Sequence, residues 1–222
     1  MLQVVNIKAL IFDFDGTILD TETPEFQAWT ELYAEYDQTL DIQRWGLGVG
    51  TWGAFDPIAH LEELTGQTFD HAIIHARIRP RVLKLIRASS LLPGVLETLD
   101  QAKALGLRLG LASSSGNEWI YGWLKHYALE EWFEVVKTKD DVKMVKPDPE
   151  LYLAAANALN LEPQLCVAIE DSPNGSIAAL AAGMHTIAVP NQITQYLEFP
   201  AGVYRISSLQ TPLVSILQSF KS

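Results

Sequence analysis

The chain has 222 residues, 48% of them hydrophobic, and its 16 basic and 27 acidic residues leave a formal net charge of −11. That supports one large packed domain, or a domain carrying an insertion. It excludes the basic face that nucleic acid requires, so an anionic ligand must be attracted locally.

Val4 to Phe12 reads as a short buried strand, because the run is apolar on both faces. It ends in Asp13-Phe14-Asp15-Gly16-Thr17, two carboxylates followed by a glycine that permits a sharp exit. Thr23-Pro24 predicts an N-cap and first helical position, followed by Phe26, Trp29, Leu32, Tyr33 and Tyr36 at helical spacing. Gly46 to Gly53 reads as a glycine-rich loop holding Trp52, with Trp45 just before it. Asp56-Pro57 opens a helix that stops at Gly66. Asp70 caps another, which Pro80 is expected to kink or break. Residues 20–89 are therefore expected to be all-helical.

From Pro93 the rhythm changes. A helix from Gly94 to Leu105 precedes a strand at Leu107 to Ala112. Ser115 and Glu118 have the spacing of a capping box for the next helix, whose Trp119 and Trp123 read as core. Strands are expected at Trp132–Val136, Leu165–Ile169 and Thr186–Val189, with helices opened by Asp148-Pro149 and Ser172-Pro173. A short edge strand at Val203–Ile206 and a C-terminal helix complete the pattern. Alternation of this kind gives a parallel α/β sheet with helices on both faces. We expect a Rossmann-like α/β core of residues 1–19 and 90–222, with a helical cap of residues 20–89 inserted after the first strand.

Four groups of polar residues fall at the carboxyl ends of strands or in the loops beside them: Asp13 with Asp15, Ser113, Lys146, and Glu170 with Asp171. Strands of a parallel sheet deliver these ends to one edge, where ligands bind. Each residue alone has an ordinary explanation as a cap, turn or surface group. Their recurrence in successive units is what points to a site. A carboxylate can attack a phosphoryl group when a cation screens the repulsion between two anions. A second carboxylate two residues on lies on the same side and can protonate the leaving oxygen. Ser113 offers a hydroxyl, the helix start at residues 115–117 offers N–H groups, and Lys146 offers a compact positive charge. Asp171, with Glu170, could complete oxygen ligation of Mg²⁺.

The motifs DFDGT (13–17), LASSS (111–115), VKPDPELY (145–152) and IEDSPNGSIAALAAGM (169–184) resemble the haloacid dehalogenase-like superfamily, in its β-phosphoglucomutase and phosphoglycolate phosphatase branch. The resemblance spans nearly the whole chain. It implies Asp13 as nucleophile and Asp15 as general acid/base. It implies Mg²⁺ held by Asp13, the Asp15 carbonyl and Asp171, with Glu170 nearby. It implies phosphoryl binding by Ser113 and Lys146, with Ser114 and Asn117 beside them.

Two departures bear on the reaction. The sugar phosphomutases of this branch carry a histidine a few residues past an Asp-Thr pair, where counting from Asp20-Thr21 here reaches Glu25. Their cap loop also carries an arginine, whereas Gly46 to Gly53 holds no basic residue and Arg44 lies just outside it. These favour a Mg²⁺-dependent phosphatase of small metabolites (sugar phosphates, phosphoglycolate or nucleoside monophosphates) over a mutase. A phosphoacceptor signalling domain has no use for Asp15 or for a cap. A non-catalytic binding protein has no need of the intact acids, serine and lysine.

The weaker signals receive ordinary readings. Gly46-Leu47-Gly48-Val49-Gly50 lacks a nucleotide-binding context and reads as a mobile cap loop. Trp45, Trp52 and Phe55 line a pocket or pack the cap. His71 and His75 have metal-pair spacing without a third ligand and read as exposed or packing residues. The single cysteine, Cys166, forms no intramolecular disulfide and reads as core. With no basic N-terminal start and no uncharged stretch of membrane-spanning length, we expect a cytoplasmic monomer that binds neither membrane nor nucleic acid.

Overall fold

A computed structural model describes residues 6–51, 53–218 and 220. The expected strand start at Val4 and the loop residue Trp52 lie outside the described residues. Six parallel strands form one sheet in the order β3-β2-β1-β4-β5-β6. They are β1 (Ala9–Phe12), β2 (Arg108–Ala112), β3 (Val135–Lys137), β4 (Cys166–Glu170), β5 (His185–Ala188) and β6 (Tyr204–Arg205). The first strand is central, with Phe12 level with Leu111 on one side and Ile169 on the other. The chain passes to β2 on one flank and to β4 on the other, so β1 is the topological switch point, where such sheets open a crevice.

Burial on both faces follows from the helices packed there. Leu10 and Phe12 point into a layer with Leu99, Ile120, Trp123 and Leu213, from α5 (Val95–Ala104), α6 (Asn117–His126) and α9 (Leu213–Gln218). Ala9, Ile11, Cys166 and Ala168 point the other way, onto Leu151, Tyr152 and Ala155 of α7 (Glu150–Ala158) and Ala178 of α8 (Pro173–Ala181). The alternation along each strand is the period of two expected of side chains on a pleated backbone.

Between β1 and α5 the chain is helical: α1 (Glu22–Ala34), α2 (Ile42–Gly46), α3 (Pro57–Thr65) and α4 (His71–Arg87). An antiparallel bridge between Leu19 and Leu91 brings the outgoing and returning strands of chain together. Asp56 and Asp70 cap α3 and α4 through their side chains, and Gly66 closes α3 in the left-handed conformation, as their types predict.

Several local expectations are corrected. The N-cap of α1 is Thr21, not Thr23. The Thr21 hydroxyl is used elsewhere, and Asp20 accepts the Thr23 N–H instead, at 2.9 Å. Pro80 lies inside a continuous α4, whose apolar face of Ile74, Ile78, Val82 and Ile86 is buried. Tertiary packing of that stripe outweighs the one lost backbone bond. Gly46 ends α2 rather than starting a loop, because Asp41 caps that short helix. The third strand begins at Val135, three residues after the expected Trp132, which instead lies in a turn. Ser115 is not a cap: α6 starts after Gly116.

Candidate active site

The groups come from the ends of β1, β2 and β4 and from the loop between β3 and α7. The backbone N–H of Asp13 donates to the Ile169 carbonyl at 2.9 Å, which sets the end of β1 against the end of β4. Asp13 is buried there, as are Ser113, Lys146, Glu170 and Asp171. Lys146 Nζ donates to Asp13 Oδ1 and, at 2.6 Å, to Glu170 Oε1. Tyr152 donates its hydroxyl to the same Glu170 oxygen at 2.6 Å. Ser172 Oγ approaches the other Glu170 oxygen at 3.2 Å. Protein donors therefore occupy both Glu170 oxygens, and its immediate role is to hold Lys146 against Asp13.

Asp171 is arranged differently. Its Oδ2 accepts from Asn191 Nδ2 at 2.6 Å, while its Oδ1 is buried with no hydrogen-bond partner. Orphaned buried acceptors are costly. Gly16 makes room for this carboxylate: its φ is +77°, and a Cβ there would run into Asp171. The oxygens of Asp13, Glu170 and Asp171 lie within 4.8 Å of one another. One lysine does not balance three buried acids. Burial first, then Glu170 and Asp15, push the Asp13 carboxyl up to about 8 against the opposing pull of Lys146. Asp171 rises well above the carboxylate range, again mainly through burial and then through Asp13 and Glu170. Burial alone would lower the Lys146 ammonium, but the two acids more than reverse this and keep it charged. An all-oxygen set with surplus negative charge and an orphaned acceptor suits a hard divalent cation. The residues present fit that group.

Asp15 sits at the mouth of the site, half-buried. Its Oδ1 accepts from Thr21 Oγ1 at 3.0 Å and from Trp119 Nε1 at 2.8 Å. Its Oδ2 accepts from Ser115 Oγ at 2.6 Å and faces Ser113 Oγ at 3.4 Å. Ser113 Oγ also accepts the Ser115 N–H, and Ser114 Oγ donates to the Gly50 carbonyl. Asn117 lies on the cleft wall, where its N–H donates to Asp140 and its side-chain oxygen accepts from the Thr138 hydroxyl. The expected anion-binding N–H of that helix start thus already has an acidic partner.

A cleft of about 1060 Å³ opens above Asp13 and Asp15. Trp29, Trp45 and Phe55 contribute aromatic surface from the helical segment, and Trp119 and Trp123 from α6. The expected pocket residues Trp45 and Phe55 also pack edge-on against each other. Basic groups missing from the glycine loop come instead from α4, as Arg79 and Arg87, and from His126. Arg44 points elsewhere, 3.8 Å from Glu63 on the surface. Glu22 and Glu25 also face the cleft. Glu25 keeps solvent-accessible surface yet stands among crowded neighbours, and desolvation together with Asp15 pushes it up to about 7. His75 packs edge-on against Trp29 and His71 lies 3.9 Å from Glu62, so the two histidines have separate neighbours.

The sequence model of the family described as "Haloacid dehalogenase-like hydrolase" matches residues 10–189. The chain belongs to the haloacid dehalogenase-like hydrolases. It is 46% identical over 211 residues to the Bacillus subtilis (strain 168) protein named "Putative phosphatase YhcW", covering 95% of this chain and 96% of that one. It is 34% identical over 184 residues to fructose-1-phosphate phosphatase YqaB of Escherichia coli (strain K12), covering 81% and 95%. Among solved structures it resembles CbbY from Rhodobacter sphaeroides in complex with phosphate, with a TM-score of 0.73 and 29% identity over 92% of this chain and 96% of that one. No helix among the described residues is long and apolar enough to cross a membrane.

Sequence reasoning found Asp13, Asp15, Ser113, Lys146, Glu170 and Asp171, and these converge. It missed Thr21, Ser115 and Trp119 on Asp15, Tyr152 on Glu170 and Asn191 on Asp171. Tyr152 lies inside the VKPDPELY motif, but nothing local marks it as a partner of Glu170. Asn191 follows β5 at the same sheet edge as the other strand ends, which was a usable signal. Nothing in the sequence distinguishes Trp119 from a core tryptophan.

Proposed function

We propose that this protein is a Mg²⁺-dependent phosphatase of small phosphate monoesters, sugar phosphates foremost, working through an aspartyl-phosphate. The observation that carries the reading is the pairing of two carboxylates at the end of β1. Asp13 is held by Lys146 beside the orphaned oxygen of Asp171, and Asp15 stands two residues on, facing the cleft. The names of the relatives point the same way.

In this reading Asp13 is the nucleophile and forms a bond to phosphorus. Lys146 and Ser113 hold the phosphoryl oxygens, with Ser114 and Asn117 beside them. Asp15 gives a proton to the departing ester oxygen and then takes one from the water that cleaves the acyl phosphate. Asp13, the Asp15 carbonyl and Asp171 would hold Mg²⁺, with Glu170 fixing Lys146 from behind. When bound, the cation neutralises charge on the transferring group. Residues 20–89 serve as a cap whose aromatic residues shield the reaction from bulk water. The protein acts in the cytoplasm, on a small phosphorylated metabolite.

Phosphatase is favoured over mutase because Glu25 occupies the position where the mutases have histidine. The test is a panel of phosphate esters with Mg²⁺, following released phosphate and isomerised product together. Phosphate release that is lost with chelator and in Asp13→Asn is expected. Isomerisation without release, or wild-type hydrolysis by Asp13→Asn, would overturn the assignment.

A further inference from the structure

The two oxygens of Asp15 are bonded by chemically different partners. On Oδ1 sits the indole N–H of Trp119, at 2.8 Å, with the Thr21 hydroxyl at 3.0 Å. On Oδ2 sit only hydroxyls, those of Ser115 at 2.6 Å and Ser113 at 3.4 Å. A hydroxyl can donate or accept, so it tolerates a proton on the oxygen it faces. An indole N–H can only donate. The carbonyl oxygen of a protonated carboxyl is the stronger acceptor, so the indole N–H favours Oδ1 as that oxygen and places the Asp15 proton on Oδ2.

We propose that Trp119 is a positioning residue that keeps the Asp15 proton on Oδ2, the oxygen beside Ser113 and the phosphoryl site. The idea rests on the phosphatase reading given above. In the first step Asp13 bonds to phosphorus. The ester P–O bond breaks with its electron pair on the leaving oxygen, and that oxygen takes the Oδ2 proton. In the second step water attacks phosphorus, the bond from phosphorus to Asp13 breaks, and the water proton returns to Oδ2. The indole never exchanges a proton, so its bond to Oδ1 persists through both steps and prevents the carboxyl from rotating to present the wrong oxygen.

The indole is itself firmly held. It packs edge-on against Trp123, with ring centres 5.6 Å apart, and Trp123 stacks on Tyr127 at 6.2 Å. Tyr127 donates its hydroxyl to the Ser89 carbonyl at 2.8 Å, where the chain leaves α4. A ring fixed on its far side can aim its N–H with little loss of freedom.

Trp119→Phe tests this, because it keeps an aromatic ring at that position and removes the donor. Two substrates are compared: an alkyl phosphate, whose leaving oxygen needs a proton, and 4-nitrophenyl phosphate, whose leaving group departs as an anion. The ratio of kcat for the nitrophenyl ester to kcat for the alkyl ester is expected to rise about tenfold, a part of the usual general-acid contribution. A ratio equal to that of the wild type, whatever the overall loss, would refute the proposal, since a purely structural defect lowers both rates alike. A second measurement does not depend on turnover. The indole N–H resonance of Trp119, assigned by its absence from Trp119→Phe, should move upfield in Asp15→Ala, and an unmoved resonance also refutes the proposal. Absence of phosphate release by the wild-type protein would instead bring down the phosphatase reading, and the resonance would still decide for or against the Trp119–Asp15 bond.

Discussion

Replacing Lys146 by methionine removes the one cation buried among three carboxylates while nearly preserving side-chain volume. Lys146 is fully buried, and it donates to both Asp13 and Glu170. Breaking a buried ion pair from one side costs about 3–5 kcal/mol, because the remaining charge keeps no partner. The loss should depend on pH. Lys146 titrates above its ordinary value in the folded protein, so its contribution is constant below about pH 10 and cannot itself vary between pH 5 and 8. The acids do vary. Their folded-state affinity for protons is raised, so the charged cluster is penalised most at pH 8 and is relieved as protons bind on acidification. Urea unfolding followed by tryptophan fluorescence, with chelator present, would measure this. The expected result is a loss of about 3–5 kcal/mol at pH 8 that shrinks clearly by pH 5. An unchanged midpoint at pH 8, or the same loss at both pH values, would refute the account of an under-neutralised cluster.

Two further outcomes follow from the same geometry. In chelator, wild-type stability should fall as pH rises from about 5 toward 8, because folded Asp13 holds a proton that the unfolded chain has released. The slope is at most about 1.4 kcal/mol per pH unit per proton, and Mg²⁺ should flatten it. A Tm that rises with pH in chelator would contradict this. Gly16→Ala places a methyl group against Asp171 at a φ of +77°, and should cost about 1–3 kcal/mol in urea unfolding and about a hundredfold in kcat. Near-normal turnover by that variant would mean that Asp171 has room to move.

The parts of the fold read correctly from sequence were those whose signals are local. Asp56 and Asp70 announce helix starts because a short carboxylate beside free N–H groups has few better uses, and Gly66 announces a stop because it tolerates positive φ. The parallel sheet followed from apolar runs separated by helical periods, and the strand ends then located Asp13, Ser113, Glu170 and Asp171 at one edge. The failures share a cause. Ser115 reads as a helix cap, but Asp15 competes for its hydroxyl and wins, a contest between residues 100 positions apart. Pro80 reads as a breaker, yet four buried residues on one face of α4 hold the helix together across it. Trp119 looks like its neighbour Trp123 in every local respect, and only the partner of its nitrogen separates them.

The loop after α2 shows how a segment can be fastened without fixing every side chain in it. Ser114 donates to the carbonyl of Gly50, and Asn174 Nδ2 donates to the carbonyl of Val49 at 2.9 Å and to that of Leu47 at 3.3 Å. The core grips the loop by its backbone, a handle common to all amino acids. Gly50 and Gly53 are constrained by a φ of +78°, a Cβ at Gly50 would strike Ser172, and Thr51 is tied by its side chain, whose hydroxyl donates to the Lys146 carbonyl. Leu47, 61% exposed, is held by a group that does not depend on its side chain, whereas the Val49 side chain is buried in the core. A substitution at Leu47 therefore leaves the fastening to the catalytic edge in place, whereas one at Val49 disturbs the core beneath it.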